Sequence, residues 1–161
     1  MKIKFLAVGG TIDKVYFDAM SKYEVGDSSI QDILKNARVN IEYQVASLLK
    51  KDSLDMTDQD RQTILEAVQK EKAKRIIITH GTDTMVESAQ VLSHIKDKVI
   101  VFTGAMEPAK FKTSDAIFNL GSAVAAVQTL PDGVYLAISG RVFSPNNVRK
   151  NRGLKQFEEK M

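Results

Sequence analysis

Arg75-Ile76-Ile77-Ile78-Thr79-His80-Gly81-Thr82-Asp83-Thr84-Met85 is the stretch on which the fold turns. Its three consecutive isoleucines, closed by Thr79, read as a strand buried on both faces. Such a strand needs a layer above and a layer below, which points to a sheet between two sets of helices. The polar, glycine-bearing residues that follow lead into Met85-Val86-Glu87. Thr84 with Glu87 three residues later fits the capping-box pattern, so a helix is expected from Thr84 to about Ile95. Thr82 and Asp83 then fall where a strand hands over to a helix. In a parallel α/β sheet that junction is the carboxyl edge, where such folds hold their ligands.

Outward from this strand the alternation recurs. Ile3 to Val8 is an apolar run that ends in Gly9-Gly10-Thr11-Ile12, a second hydroxyl-bearing turn. Ser29 to Ala37 carries Ile30, Ile33 and Leu34 at helical spacing. Ile41 to Leu48 alternates Ile41, Tyr43 and Val45 with Glu42 and Gln44, which suits a strand nearer the sheet edge. Thr57 to Lys72 sets Ile64, Leu65 and Val68 on one helical face, and Val99 to Thr103 is a fourth strand. Thr113 to Val127 reads as a helix with Ile117, Leu120, Val124 and Val127 inward, and Val134 to Ile138 as a fifth strand. The expected fold class is α/β: a three-layer, doubly wound, mostly parallel sheet (Rossmann/flavodoxin-like). It is expected as a single domain over residues 1–161, with 151–161 as a polar C-terminal tail. Asp13 to Ser28 breaks the pattern, being aromatic, without helical period and too long for an ordinary connection. Such a segment is either a lid over a site or a surface hairpin without a role.

Composition narrows the function classes. The 161 residues are 43% hydrophobic and 27% charged, values of a globular chain with a core. The net charge of +3 is small, and its lysines and arginines are scattered without aromatic interleaving. A nucleic-acid footprint needs clustering, so none is expected. With no cysteine, disulfides, thiolate metal sites and thiol catalysis are excluded. The apolar stretch after Met1 is too short for a signal peptide, and no segment approaches a membrane span. A cytoplasmic location is the expectation.

The turns carry the chemistry. Gly9-Gly10 permits a sharp bend and offers amide N–H groups to a carboxylate or an oxyanion. The pair lacks the spacing of a dinucleotide fingerprint, because the next glycine is Gly26. Asp83 reads as a partner for an ammonium group, as one half of a proton relay with a lysine, or as a helix-capping carboxylate. His80, leaving a buried strand, reads as a neutral structural histidine. Two hydroxyls, an aspartate and a histidine at one sheet edge suggest hydrolysis, but a threonine hydroxyl needs a neighbouring base or relay to attack.

Taken together, Val8-Gly9-Gly10-Thr11-Ile12 and His80-Gly81-Thr82-Asp83-Thr84-Met85 resemble the two threonine signatures of the bacterial-type L-asparaginase/glutaminase family. Tyr23-Glu24-Val25-Gly26 looks like that family's lid tyrosine, and Ser53-Leu54-Asp55-Met56 resembles its substrate-binding Ser-Gln-Asp-Met turn. Gly104-Ala105-Met106-Glu107-Pro108, with Ser114-Asp115 and Phe118-Asn119-Leu120, is similar to its Gly-Ala-Met-Arg-Pro region. The resemblance covers nearly the whole chain and implies a short form corresponding to the family's N-terminal domain.

What the resemblance implies is a set of roles. Thr11 is the expected nucleophile, and Tyr23 closes over it. Thr82, Asp83 and a lysine form a second cluster that handles protons and the incoming water. Val148-Arg149-Lys150-Asn151 resembles the segment holding that lysine, which assigns Lys150; on residues alone Lys150 is equally an exposed tail lysine. Gly10, Ser53, Leu54 and Asp83 are the expected substrate-binding positions, Ser53 toward an α-carboxylate and Asp83 toward an α-ammonium. The implied reaction is hydrolysis of L-asparagine to L-aspartate and ammonia, without metal or cofactor. The implied assembly is a homodimer or higher homo-oligomer. Leu54 departs from the family's glutamine and removes a polar contact to the substrate's ammonium. An amidohydrolase for a different amide, or a non-catalytic module binding aspartate-like ligands, are the alternatives.

Overall fold

A computed structural model describes all residues from Met1 to Met161. A six-stranded sheet runs in the order β4-β1-β5-β6-β7-β8. Its strands are β1 (Lys2–Gly9), β4 (Glu42–Lys51), β5 (Arg75–Thr79), β6 (Val99–Thr103), β7 (Gly133–Ile138) and β8 (Arg141–Phe143). The first five are parallel, and β8 returns antiparallel against β7. The five parallel strands match the sequence expectation, with the alternating Ile41–Leu48 segment at the edge. Three residues are too few to show a period, so β8 left no signal.

Side chains alternate across this sheet, and the alternation divides the core in two. Ile76, Ile78, Ile100 and Phe102 pack on one face with α2 (Asp58–Lys70) and α3 (Met85–Val91). Ile77, Val99, Val101 and Phe5 pack on the other with α1 (Ile30–Asn36) and α4 (Ala116–Thr129). Ile76, Ile77 and Ile78 are all fully buried, as a strand covered on both faces requires. Each such side chain contributes about 1.5–3 kcal/mol through burial.

Three local readings are corrected. Thr84 does not form a capping box; its hydroxyl donates to the Ser53 carbonyl at 2.7 Å, and α3 ends at Val91. The capping box belongs to α2, where Thr57 and Asp60 bond each other's backbone N–H groups. In α4, Ile117 is 59% exposed, because the buried stripe runs through Ala116, Asn119, Leu120, Ala123 and Val127. Small alanines let this helix lie close to the sheet, and a buried asparagine disguised the stripe.

Two small ribbons flank the sheet edge. The aromatic segment after β1 folds into an antiparallel hairpin of β2 (Lys14–Phe17) and β3 (Lys22–Val25). Residues 151–161, expected as a polar tail, instead contribute β10 (Gln156–Glu159), paired with β9 (Val148–Asn151). Directly opposed residues in such a pair share a face. Val148, Lys150 and Phe157 therefore face the body of the protein, and Val148 and Phe157 are buried in the core. Arg149 and Glu158 lie on the other face and pair at 2.8 Å. Two apolar anchors in a charged stretch were too sparse to read as a strand pair.

Candidate active site

The strand order brings four turns side by side at the carboxyl edge of the sheet. They follow β1, β4, β5 and β6 and span residues 9–13, 52–55, 80–84 and 104–107. They approach so closely that two require glycine. Gly10 has φ of 89°, and a Cβ there would meet the Gly81 nitrogen and Cα at 2.4 and 2.5 Å. A Cβ on Gly81 would meet the Ser53 Cβ at 2.5 Å. The two threonine-bearing turns are thus in backbone contact, with Thr11 and Thr82 each directly following a member of the glycine pair.

This packing alters one sequence expectation. The Gly10 N–H is not free for a carboxylate or an oxyanion, because it donates to the Lys51 carbonyl at 2.9 Å. The half-buried Thr11 opens a short 3-10 turn, Thr11–Asp13.

The second turn is built outward from His80, which is fully buried. Its Nδ1 lies 2.7 Å from the Gly81 carbonyl, which only accepts, so Nδ1 carries the hydrogen. Nε2 is then the acceptor for the Ser88 hydroxyl at 2.8 Å. Burial holds the ring's pKa down to about 4, so it is neutral. His80 is structural, as its sequence position suggested, and it fixes the backbone just before Thr82.

Ser53 is buried, and its hydroxyl accepts the Asp83 N–H at 3.1 Å. Lys150 Nζ completes the cluster, donating to Thr82 Oγ1 and Asp83 Oδ1 at 2.7 Å each. Only 12% of the Lys150 side chain and 29% of the Asp83 side chain are exposed, so this pair is far less solvated than an ordinary surface bridge. Thr82 Oγ1 turns its own hydrogen toward Met106 Sδ at 3.8 Å. Behind Met106, the Asp115 carboxylate accepts the N–H groups of Met106 and Glu107. Asn119, fully buried, links Asp115, the Gly104 carbonyl and the Ser139 N–H.

The structure therefore gathers Ser53, Thr82, Asp83 and Lys150. Tyr23 stands apart, 49% exposed on β3, and lines a cavity of about 480 Å³ with Lys14, Lys50 and Asp52. Leu54 is 64% exposed on the turn after β4. Asp83 and Lys150 line a different cavity, of about 320 Å³, against α3 and the β9–β10 ribbon.

Sequence reasoning missed several neighbours. Asp52 pairs with Lys14 at 2.7 Å. Burial pushes its carboxyl up, but the Lys14 hydrogen bond, the Leu54 N–H and the charges of Lys14 and Lys150 together hold it below the usual range. Arg152 Nε lies 3.6 Å from Asp83 Oδ1. Asp13 is buried, accepts the Ser29 N–H at 2.8 Å, and has its pKa raised by burial to about 6. None of these carries a motif. The i,i+4 spacing of Asp115 and Asn119 was the one legible hint of a polar network.

Comparison with known proteins decides the family. Residues 2–158 match the model of the asparaginase N-terminal domain. The chain belongs to the asparaginase family. It is 33% identical over 162 residues to a probable periplasmic L-asparaginase of Haemophilus influenzae, covering 92% of this chain and 46% of that protein. It is 34% identical over 163 residues to L-asparaginase 2 of Escherichia coli, with the same coverage of both. The thermostable L-asparaginase of Thermococcus kodakarensis superposes with a TM-score of 0.85 at 29% identity, over 99% of this chain and 51% of that one. The chain thus spans about half the length of the relatives it matches. No helix is long and apolar enough to cross a membrane.

Proposed function

We propose that this chain is an L-asparaginase-like amidohydrolase, converting a carboxamide and water to a carboxylate and ammonia with Thr11 as nucleophile. The observation that carries the reading is the Lys150–Thr82–Asp83 cluster, with Lys150 Nζ 2.7 Å from both oxygens. Asp83 holds the lysine against the Thr82 hydroxyl, so Thr82 is held in one orientation to relay a proton. Thr11, across the glycine contact, attacks the amide carbon, and its hydroxyl proton passes to the departing ammonia. The acyl-threonine ester is then opened by water held at Thr82. One proton of that water is relayed through the Thr82 hydroxyl to the departing Thr11 oxygen, which restores the threonine and releases the carboxylic acid. Lys150 stays charged and orients Thr82. Tyr23, carried on the hairpin, closes over Thr11 as the lid. Ser53 keeps a proton to donate to a substrate carboxylate, since its hydroxyl accepts from Asp83 N–H. A cytoplasmic homodimer or higher homo-oligomer belongs to the same reading.

The test is ammonia release from L-asparagine by the purified chain, with Thr11→Ala in parallel. Release that disappears in the variant is the expected result. Release that persists ends the nucleophile assignment. No release, with L-aspartate still raising the melting temperature, favours a binding module instead.

A further inference from the structure

A hydroxyl oxygen has one hydrogen and two lone pairs to place. At the buried Thr82, Lys150 Nζ donates to one lone pair at 2.7 Å. A lysine has no acceptor, so the Thr82 hydrogen turns to another neighbour, Met106 Sδ at 3.8 Å. With Cβ, Lys150 and Met106 in three of the four directions around the oxygen, the second lone pair is left with one. The Met106 backbone is held in turn. Its N–H lies 3.0 and 2.9 Å from the two Asp115 oxygens, and the fully buried Asn119 fixes the second of these at 2.9 Å. The Met106 side chain is half-buried against the core face that carries Ile78 and Met85. Leucine would fill that space about as well, so packing alone does not call for sulfur. A thioether differs from leucine in accepting a hydrogen bond, and from an amide or a carboxylate in accepting it weakly.

We propose that Met106 is a positioning residue: its sulfur parks the Thr82 hydrogen between turnovers and gives it up during the relay. The proposal rests on the amidohydrolase reading above. While the hydrogen is parked, the open lone pair of Thr82 is free to accept a proton from the attacking water. As the water oxygen bonds to the acyl carbon and the ester C–O bond breaks, Thr82 takes that proton. Its own hydrogen leaves Met106 and passes to the Thr11 oxygen. The proton taken from water becomes the new hydroxyl hydrogen and turns back to Met106, which itself neither gains nor loses a proton. An alkyl side chain would leave the hydrogen free to turn into the path of the water. A strong acceptor would hold it back from Thr11.

The experiment removes the sulfur and keeps the volume. For the unaltered chain and Met106→Leu, kcat and KM for L-asparagine are measured together with the solvent deuterium isotope effect on kcat. In the variant kcat is expected to fall about three- to tenfold, the reach of one neutral hydrogen bond, at unchanged KM and unfolding midpoint. The isotope effect should rise, because the relay step becomes slower. An unchanged kcat, or a fall with the isotope effect unmoved, overturns the proposal. A second measurement reads the contact without turnover. Hydrogen peroxide transfers one oxygen to a methionine sulfur and leaves as water, and a sulfur that accepts a hydrogen bond reacts more slowly. Thr82→Val keeps the shape and loses the hydroxyl. It is expected to speed oxidation of Met106 about two- to fivefold, the worth of one weak hydrogen bond, with the exposed Met20 as the unchanged internal control. Equal rates for Met106 in the two chains overturn the proposal. If the unaltered chain releases no ammonia, the amidohydrolase reading fails, and the oxidation rates alone decide whether Met106 holds the Thr82 hydrogen.

Discussion

The turn that carries Thr82 and the hairpin that follows Thr11 lie at the same edge of the sheet and are held by different physics. Around Thr82 the hydroxyls, the lysine and the buried histidine have fixed partners in a poorly solvated setting. His80 clamps the backbone, Ser53 takes the next N–H, Lys150 closes the side chains, and Asp115 with Asn119 sets Met106 behind them. The hairpin is held at its base by the Asp13 carboxylate, by the Gly26 N–H on the Asp13 carbonyl and by the Lys14–Asp52 pair. Beyond that base, its outer surface is exposed aromatic rings. Tyr16, Phe17 and Tyr23 are each about half exposed, and Tyr23 rests edge-on against Phe111 with centroids 5.7 Å apart. The first region is organised for electrostatics that must not relax. The second has few fixed contacts beyond its base, so it opens at less cost than the turn around Thr82.

The sharpest way to break the contrast is to remove the charge from the rigid cluster. Lys150→Met keeps the length of the chain and loses the donor to Thr82 and Asp83. Ammonia release is expected to fall about 10²- to 10⁴-fold, the usual range when a proton-relaying group is disabled. The melting temperature should move little, because Val148 and Phe157 still seat the ribbon. Unchanged turnover would remove Lys150 from the proposed machinery.

A second probe asks whether the rigidity comes from the buried network. Asn119→Ala leaves the Gly104 carbonyl, the Ser139 N–H and one Asp115 oxygen short of a partner. Loss of unfolding free energy by about 2–4 kcal/mol is expected from urea titration, given the cost of orphaned buried groups. A loss below about 0.5 kcal/mol, the scatter of ordinary surface changes, would show that the network is dispensable.

How much of this was legible follows the same divide. The strands and helices that position the site were readable because burial on two faces leaves a period, as at Ile76, Ile77 and Ile78. The threonine turns were readable as motifs. The site's surroundings were not, because they are made by contacts between segments distant in the chain. The resemblance tied Lys150 to Asp83, but nothing in the sequence placed Arg152 beside them, and nothing in Asp13 announces its burial. Thr84 misled for the same reason. Its local pattern was that of a helix cap, and a backbone carbonyl from another turn took its hydroxyl. Leu54 was legible as a departure, and the fold leaves it 64% exposed on the turn after β4.

A third probe uses pH on the base of the hairpin. Burial raises Asp13 to about 6 in the folded chain, above its unfolded value of 3.8. Between these values the folded state holds a proton that the unfolded state has lost. The Asp13 contribution is therefore fully favourable below about pH 4, falls as pH rises to about 6, and stays low above that. The shift corresponds to at most about 3 kcal/mol. Asp13→Asn keeps an acceptor for the Ser29 N–H and cannot ionise. Its stability relative to the unaltered chain is expected to rise from pH 4 to pH 7 and then level off, read from denaturant midpoints. A difference that does not change across that window would mean that Asp13 titrates as an exposed carboxylate.

The smallest expected effect tests the outer hairpin directly. Phe111 joins the ring pair of Tyr16 and Tyr23, whose centroids are 5.4 Å apart across the β2–β3 ladder. An aromatic pair of this kind is worth about 0.5–1.5 kcal/mol, and this one is partly solvated, so Phe111→Ala should cost global stability at the low end of that range. The local consequence should be larger than the global one. The chain has four tyrosines and no tryptophan, so its emission anisotropy reports on few rings, two of them in this cluster. Faster depolarisation with only a small fall in the unfolding midpoint is the expected signature of a hairpin freed from its rest. Restoration by Phe111→Tyr would assign the effect to the ring contact. A fall in the unfolding midpoint as large as that of Asn119→Ala would instead place the hairpin within the rigid region and dissolve the contrast between the two turns.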